Sequence, residues 1–140
     1  MAKNNQNGFS LIELLIVVVI IGVVASLAVP ALQKGIHAAE NGKTFGSMRA
    51  ISSSQLGFFS TNSRFARLSE VNSLLSSSLG TTSGNVINQG KFVYEMAPAA
   101  PTDAELRQGY TITATRNVTG EGVIYKYEID QGGQIRQILP

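Results

Sequence analysis

The sequence predicts an α+β fold in which the C-terminal half of one long N-terminal helix packs on an antiparallel sheet of three to four strands. A nearly uninterrupted apolar run follows a short polar leader. Apolar residues then recur at three- and four-residue steps to about residue 59, and a two-residue period begins after residue 90. Because a sheet with one apolar face needs a cover, the helix is the expected second layer. The first half of the helix is expected to be an exposed apolar stalk.

The apolar run has the length and composition of a membrane-spanning helix. Between residues 14 and 29, only Gly22 and Ser26 are small or mildly polar. As a helix, residues 14–32 would span about 28 Å at a rise of 1.5 Å per residue, close to the roughly 30 Å hydrocarbon core of a bilayer. The run is longer than the apolar part of a typical signal peptide. Pro30 lacks a backbone donor and clashes with the preceding turn, so Pro30 and Gly22 predict a helix kink.

An apolar stripe marks the part of the helix that is expected on the sheet. Phe45, Met48, Ser52, Leu56 and Phe59 share one helical face, with Ile51 and Phe58 at its margin. The polar residues 60–63 predict the end of this helix. A second amphipathic helix is predicted, with apolar positions from Leu68 to Leu79, Ser69 as its N-cap and Glu70 in its first turn. Residues 76–88 are small and polar and predict a loop.

Alternating segments predict the strands. The residues expected to face the helix are Phe92, Tyr94 and Met96, then Tyr110, Ile112 and Ala114, then Val123, Tyr125, Tyr127 and Ile129. Residues 97–108 connect the first two strands, and residues 131–133 turn the chain into a last strand over residues 134–139. The inward alternation of the tyrosines favours a sheet core over a platform that stacks nucleic-acid bases.

Composition argues against several function classes. The formal net charge is +2, which gives no basic footprint for nucleic acid, so no nucleic-acid partner is predicted. The chain has no cysteine and one histidine, His37, so it offers no disulfide and no zinc site of the usual type. Glu128 and Asp130 are too few for calcium, which needs six or more oxygens. No nucleophile, base and cavity can be assembled, so we predict no enzyme activity, no metal and no cofactor.

Glu13 is a lone carboxylate at the edge of the apolar run. A charged residue inside a membrane helix costs about 2.5–3.5 kcal/mol on insertion scales, and such a residue needs a partner. If the leader were cut after Gly8, the new α-ammonium of Phe9 would become available as that partner. The pairing could be made within a chain or between neighbouring chains.

Residues 8–30 resemble the N-terminus of type IV prepilins and type II pseudopilins. The resemblance rests on a leader that ends in Gly8, on Phe9 directly after it, and on Glu13 and Pro30 at the family's positions in the apolar run. It implies that a prepilin peptidase cleaves between Gly8 and Phe9 and methylates the new amine of Phe9. It also implies that Glu13, Phe9 and Ser10 act in assembly, and that the chain has the pilin fold.

The same resemblance implies an organisation and a set of partners. Residues 1–8 would be the leader, residues 9–33 the transmembrane and filament-core stalk, and residues 34–140 the globular head. The expected function is that of a structural, major-pilin-like subunit that polymerises into a type IV pilus filament. Its partners would be further copies of itself, the prepilin peptidase, the inner-membrane pilus or secretion machinery and, before assembly, membrane lipid. The chain would move from the bacterial inner membrane to a surface pilus or a periplasmic pseudopilus.

Two alternatives stay open at the level of sequence. Within the family, the chain could be a pseudopilin of a type II secretion system or a minor pilin. From another class, it could be a single-span membrane protein with a small extracytoplasmic binding domain. Surface filaments with this chain as their main component favour a major pilin, whereas a leader that is kept in the native protein favours the single-span protein.

Overall fold

The computed structural model describes residues 8–116, 120 and 125–139. The chain divides into two compact units, Met1–Glu40 and Asn41–Pro140. Helix α1, Leu11–Asn62, contributes its first part to the first unit and the rest to the second. The other described helices and strands all belong to the second unit.

The described part of the first unit consists of residues 8–10 and the first part of helix α1, and residues 8–36 are all exposed. Helix α1 runs through both Gly22 and Pro30. Because Pro30 has no amide hydrogen, the carbonyl of Ser26, four residues earlier, loses its usual helical partner. The Ser26 hydroxyl donates to the Val23 carbonyl at 2.7 Å. The kink at Gly22 and Pro30 stays a prediction.

In the second unit, α1 packs through a face that differs in part from the predicted stripe. Its buried residues are Thr44, Met48, Ile51 and Gln55. Leu56 and Phe59 were predicted on this face, but both are exposed. The prediction was wrong here because it expected the large apolar residues Leu56 and Phe59 on the buried face, whereas that face includes one threonine and one glutamine. Ile51, predicted at the margin, is fully buried.

Helix α2, Leu68–Leu74, begins two residues earlier than its predicted cap implies. Arg67 is the N-cap, and its N–H donates to the Glu70 carboxylate at 2.7 Å. The prediction of Ser69 as the N-cap is therefore wrong, although Glu70 does lie in the first turn. The helix ends well before Leu79, because Ser76 and the serine after it have positive φ angles of 53° and 61°.

The sheet has six strands in the order β1-β2-β3-β4-β5-β6, and every neighbouring pair is antiparallel. The strands are β1 (Thr81–Ser83), β2 (Val86–Gln89), β3 (Phe92–Ala97), β4 (Thr111–Arg116), β5 (Tyr125–Asp130) and β6 (Ile135–Leu139). The predicted count of three to four was too low, because β1 and most of β2 lie in residues 76–88, predicted to be a loop. Both strands are short and carry few apolar residues, so they give no clear two-residue period.

The connection between β3 and β4 also contains a helix that the sequence analysis did not predict. Helix α3, Asp103–Gln108, follows Thr102 as its N-cap. The Thr102 N–H donates to the Glu105 carboxylate at 2.8 Å, and the Glu105 N–H donates to the Thr102 hydroxyl at 3.3 Å. These reciprocal bonds form a capping box, which starts a helix too short to show apolar periodicity.

The inner face of the sheet follows the predicted alternation. The buried strand residues that confirm it are Phe92, Tyr94, Met96, Ile112, Ala114, Tyr127 and Ile129, with Tyr110 just before β4. Tyr94, Ala114 and Tyr127 are paired across three neighbouring strands. The ring of Phe45 on α1 meets the ring of Tyr127 edge-on, with centroids 4.7 Å apart. Tyr125 is half-buried, and Val123 lies outside the described residues. The tyrosines therefore belong to the core between helix and sheet.

Polar contacts fix α1 to the rest of the second unit. Gln55 is fully buried; its amide nitrogen donates to the Ala66 carbonyl at 2.9 Å and its oxygen accepts the Ala66 N–H at 2.7 Å. The Ser47 hydroxyl donates to the Gln89 side-chain oxygen at 3.1 Å, and the Tyr94 hydroxyl donates to the same oxygen at 2.8 Å. Helix α1 is thereby joined to the segment before α2 and to strands β2 and β3.

One glycine is required where α2 leads into the sheet. Gly80 has φ +123°, a conformation that residues with a side chain rarely adopt. A Cβ at this position would also collide with the carbonyl oxygen of Asn88 on β2. The chain can approach β2 this closely only because residue 80 has no side chain.

Ion pairs tie the segment between α1 and α2 to α3. The Arg64 guanidinium donates to both carboxylate oxygens of Glu70, at 2.9 and 2.8 Å. These hydrogen bonds lower the pKa of the Glu70 carboxyl to about 2. Arg67 donates to the carboxylate of Asp103, the first residue of α3, at 2.6 Å. Polar contacts thus join these segments of the second unit in a chain that has no cysteine.

Candidate functional site

The candidate site is the short segment in front of α1 together with the first helical turn. Gly8, Phe9 and Ser10 have no regular secondary structure, and α1 begins at Leu11. The side chain of Phe9 is 86% exposed. Among the described residues, a Cβ at Gly8 would meet no atom within 4 Å beyond its chain neighbours. The predicted scissile bond therefore lies outside the helix, with its flanking residues uncovered.

Glu13 is bound to the backbone of its own chain at this helix start. Its Oε2 atom accepts the Ser10 N–H at 2.9 Å. The Ser10 carbonyl in turn accepts the Leu14 N–H at 3.3 Å, so Ser10 stands at the N-cap position. A carboxylate in the first turn also interacts favourably with the positive end of the helix dipole. The structure brings Glu13 and Ser10 together, and places Phe9 one residue away.

The apolar surface after Glu13 is the second feature of the site. Within the part of the chain that the structure describes, α1 is long and apolar enough to cross a membrane, with a mean hydropathy of 3.0 over an 18-residue window. None of that window is buried. Exposed apolar patches of this size mark contacts with lipid or protein. Gly22 and Pro30 both lie within this part of α1 and are exposed.

In the second unit, the outer side of α1 carries a row of small residues. This row, the small-residue stripe, consists of Gly42, Gly46, Ser53, Gly57 and Ser60, all exposed. A Cβ at any of the three glycines would meet no described atom within 4 Å outside the adjacent backbone of the helix itself. Each glycine weakens the helix by about 0.8–1.0 kcal/mol relative to alanine. The packing of the second unit does not require glycine at these positions.

The acidic residues considered for calcium already have a cationic partner. The Arg136 guanidinium lies 3.2 Å from the Glu128 carboxylate and 2.8 Å from that of Asp130. Among residues 8–116, 120 and 125–139, no three His, Asp or Glu side chains form a group that could hold a metal ion. Within the described residues, the N-terminal segment therefore remains the candidate site.

Comparison with known protein families identifies that same segment. Residues 3–29 match the family described as the prokaryotic N-terminal methylation motif. The chain is also similar to "Fimbrial protein Q" of Moraxella bovis, with 45% identity over 47 residues. The chain therefore carries an N-terminal motif like that of type IV pilins and pseudopilins. Its helix-on-sheet architecture is consistent with the pilin fold.

The similarity of this pilin-like protein to its relative is confined to one region. The alignment covers 34% of the chain and 30% of the fimbrial protein, so it spans less than a third of that relative's length. No solved structure matches the chain.

The sequence analysis missed the contact between Glu13 and the Ser10 backbone. A signal for it was present, because residues 10–13 read Ser-Leu-Ile-Glu, the Ser-x-x-Glu pattern of a capping box placed just before an apolar run. The prediction considered only the charge of Glu13 and not the ability of its carboxylate to accept a backbone hydrogen bond. The pattern Thr-Asp-Ala-Glu over residues 102–105 is the same signal, at the start of α3.

Proposed function

We propose that this pilin-like protein is the precursor of a major pilin subunit, inserted in the bacterial inner membrane and polymerised into a type IV pilus filament. A prepilin peptidase removes residues 1–8 and methylates the amine of Phe9. Residues 9–33 then form the filament-core stalk and residues 34–140 the head. The observation that carries the proposal is the methylation motif over residues 3–29, which includes the start of an exposed apolar helix with Glu13 in its first turn.

Assembly exchanges one apolar environment for another. In the membrane, lipid surrounds the stalk, and in the filament the neighbouring stalks surround it. Because lipid is as apolar as leucine, close packing and polar contacts drive the association of helices in this setting. The strongest polar contact would join Glu13 to the Phe9 ammonium of a neighbouring subunit, with Ser10 beside it. A slip in register would leave both charges unpaired in a dry environment at a cost of several kcal/mol, so this pair sets the register.

The small-residue stripe supports close contact between helices farther along α1. Small residues let two helix backbones approach each other closely. These glycines weaken the helix and are not required for packing inside the chain. Contact with the helix of another subunit would explain why glycine stands at these positions. Head-to-tail contacts that do not close into a ring give a helical filament.

Replacing Gly46 with alanine is expected to move two properties in opposite directions. The thermal stability of the monomer in detergent should rise, by up to about 1 kcal/mol, because alanine favours the helix. The yield of sheared filaments should fall severalfold, because the new methyl group separates the packed helices. Circular dichroism and electron microscopy give the two readouts. A variant that assembles as well as the wild type would contradict the role of the stripe, and a fall in both readouts would indicate misfolding.

The proposed function is tested on native protein. Intact mass should correspond to a chain that begins at Phe9 and carries one additional methyl group, and electron microscopy of sheared surface material should show filaments with this chain as the main component. A trimmed chain found only as a minor filament component or in a periplasmic complex would indicate a minor pilin or a pseudopilin. A native chain that keeps residues 1–8 and forms no fibres would overturn the proposal and favour a single-span membrane protein.

Replacing Gly8 with leucine is expected to reduce trimming by at least about tenfold. The residue before the scissile bond would then carry a bulky side chain where the family has glycine, and one misplaced group in an active site can cost a large factor in rate. Mass spectrometry of the membrane fraction measures the ratio of precursor to mature chain. A mature mass that begins at Phe9 in undiminished amount would contradict the assigned cleavage position.

A further inference from the structure

Before any trimming, the Glu13 carboxylate, on which the assembly proposal depends, already accepts a hydrogen bond from its own chain. In the structure, which retains Gly8 before Phe9, Glu13 Oε2 lies 2.9 Å from the Ser10 nitrogen. The Ser10 N–H precedes the helix and has no partner within it. In an apolar medium, an unsatisfied backbone N–H costs several kcal/mol. Glu13 therefore satisfies a backbone donor that the first turn of α1 would otherwise leave exposed to lipid or to neighbouring helices.

We propose that Glu13 has a role in its own subunit that is distinct from its charge: it is the capping acceptor that fixes the start of α1 and holds the Phe9–Ser10 backbone beside the carboxylate. This inference rests on the proposed function in one respect, because it takes Phe9 as the residue that carries the new amine. Glu13 is thereby a positioning residue for that amine. Trimming adds a charged partner next to a carboxylate that the Ser10 amide has already oriented.

Two substitutions separate the acceptor from the charge. Glu13→Gln keeps a side-chain oxygen at the same distance from the backbone and removes the negative charge. Glu13→Leu has a similar size and removes both. Glutamine serves as the reciprocal acceptor in capping boxes, as glutamate does. The cap should survive in the glutamine variant and fail in the leucine variant, whereas pairing with an ammonium ion should fail in both.

Amide hydrogen exchange at Ser10 tests the cap directly. The full precursor is prepared in detergent micelles without prepilin peptidase, so neither trimming nor polymerisation is needed. Exchange at the Ser10 amide should be faster by about tenfold in Glu13→Leu, the size expected for one net hydrogen bond. In Glu13→Gln it should stay within about threefold of the wild type. Ser26→Ala is the matched control, because it removes a side-chain hydrogen bond elsewhere on the same exposed helix and should leave Ser10 unchanged.

Two results would overturn the cap. One is Ser10 protection in Glu13→Leu equal to that of the wild type, and the other is an equal loss of protection in both Glu13 variants. Neither of these exchange results is the same as a failure of the proposed pilin function. If the protein forms no filament, the exchange pattern still reports whether the cap exists. If Glu13→Gln assembles normally with an intact cap, the charge pairing fails and the capping role stands.

Discussion

Replacing Glu13 with leucine is expected to lower filament yield by about a hundredfold or more while the subunit stays trimmed and resident in the membrane. The leucine side chain suits the apolar segment at least as well as glutamate does, so insertion should not suffer. In the filament, however, the Phe9 ammonium of each neighbour would remain in a dry environment without a counter-charge. Breaking a buried pair from one side costs about 3–5 kcal/mol, and each 1.4 kcal/mol is a factor of ten in an equilibrium.

The measurement needs three readouts from the same cells. Sheared surface material examined by electron microscopy gives filament yield, immunoblotting of the membrane fraction gives the amount of subunit, and intact mass gives its trimming. Glu13→Gln is the matched control for charge, because it preserves the shape and an acceptor oxygen and should also assemble poorly. Filament yield at the wild-type level from Glu13→Leu would refute the pairing. Loss of the subunit from the membrane would instead place the defect at insertion.

The pairing of Glu13 with a neighbouring amine could be inferred from residue types but cannot be seen within one chain. In the proposed filament its two members come from different subunits, and the amine would form only when the bond after Gly8 is cut. The contact inside the chain, between Glu13 and Ser10, was accessible from the Ser-x-x-Glu spacing alone. A local capping pattern depends on four consecutive residues, whereas a contact between subunits depends on the geometry of the filament.

The fold was predictable wherever one period dominated the sequence. The exposed apolar helix and the inward residues of β3, β4 and β5 follow strong patterns that burial on one face imposes. Strands β1 and β2 were missed because three- and four-residue strands give too few repeats to show a period. Their pairing depends instead on partners farther along the chain, such as Ile87 opposite Tyr94. Long-range pairing of this kind cannot be read from a local window.

Apolar periodicity alone did not predict which face of α1 is buried. The predicted stripe passed through Leu56, which is 61% exposed, and omitted Gln55, which is fully buried. A glutamine is unfavourable in a core unless both its donor and its acceptor are satisfied. The backbone of Ala66 satisfies both, but Ala66 reaches Gln55 only through the turn after α1. The tertiary contact therefore determined which side of the helix was buried.

Replacing Gln55 with leucine is consequently expected to destabilise the protein by about 2–5 kcal/mol, although it places an apolar residue on a buried face. Ala66 is fully buried, and the change would leave both its N–H and its C=O without the bonds of 2.7 and 2.9 Å that Gln55 supplies. Each unsatisfied buried group costs about 1–3 kcal/mol. The leucine gains some apolar burial, but its branched end cannot replace the two bonds. The melting temperature should fall by roughly 10 °C.

Gln108→Leu is the matched control, because it makes the same substitution at an exposed helical position of the same unit. Such surface changes usually stay within about 0.5 kcal/mol. Thermal unfolding of the full chain in mild detergent, followed by the near-ultraviolet circular dichroism of its tyrosines, compares the two variants. If Gln55→Leu melts no lower than Gln108→Leu, the two hydrogen bonds between Gln55 and the Ala66 backbone contribute no net stability. In that case apolar packing alone must hold α1 against the segment that leads into α2.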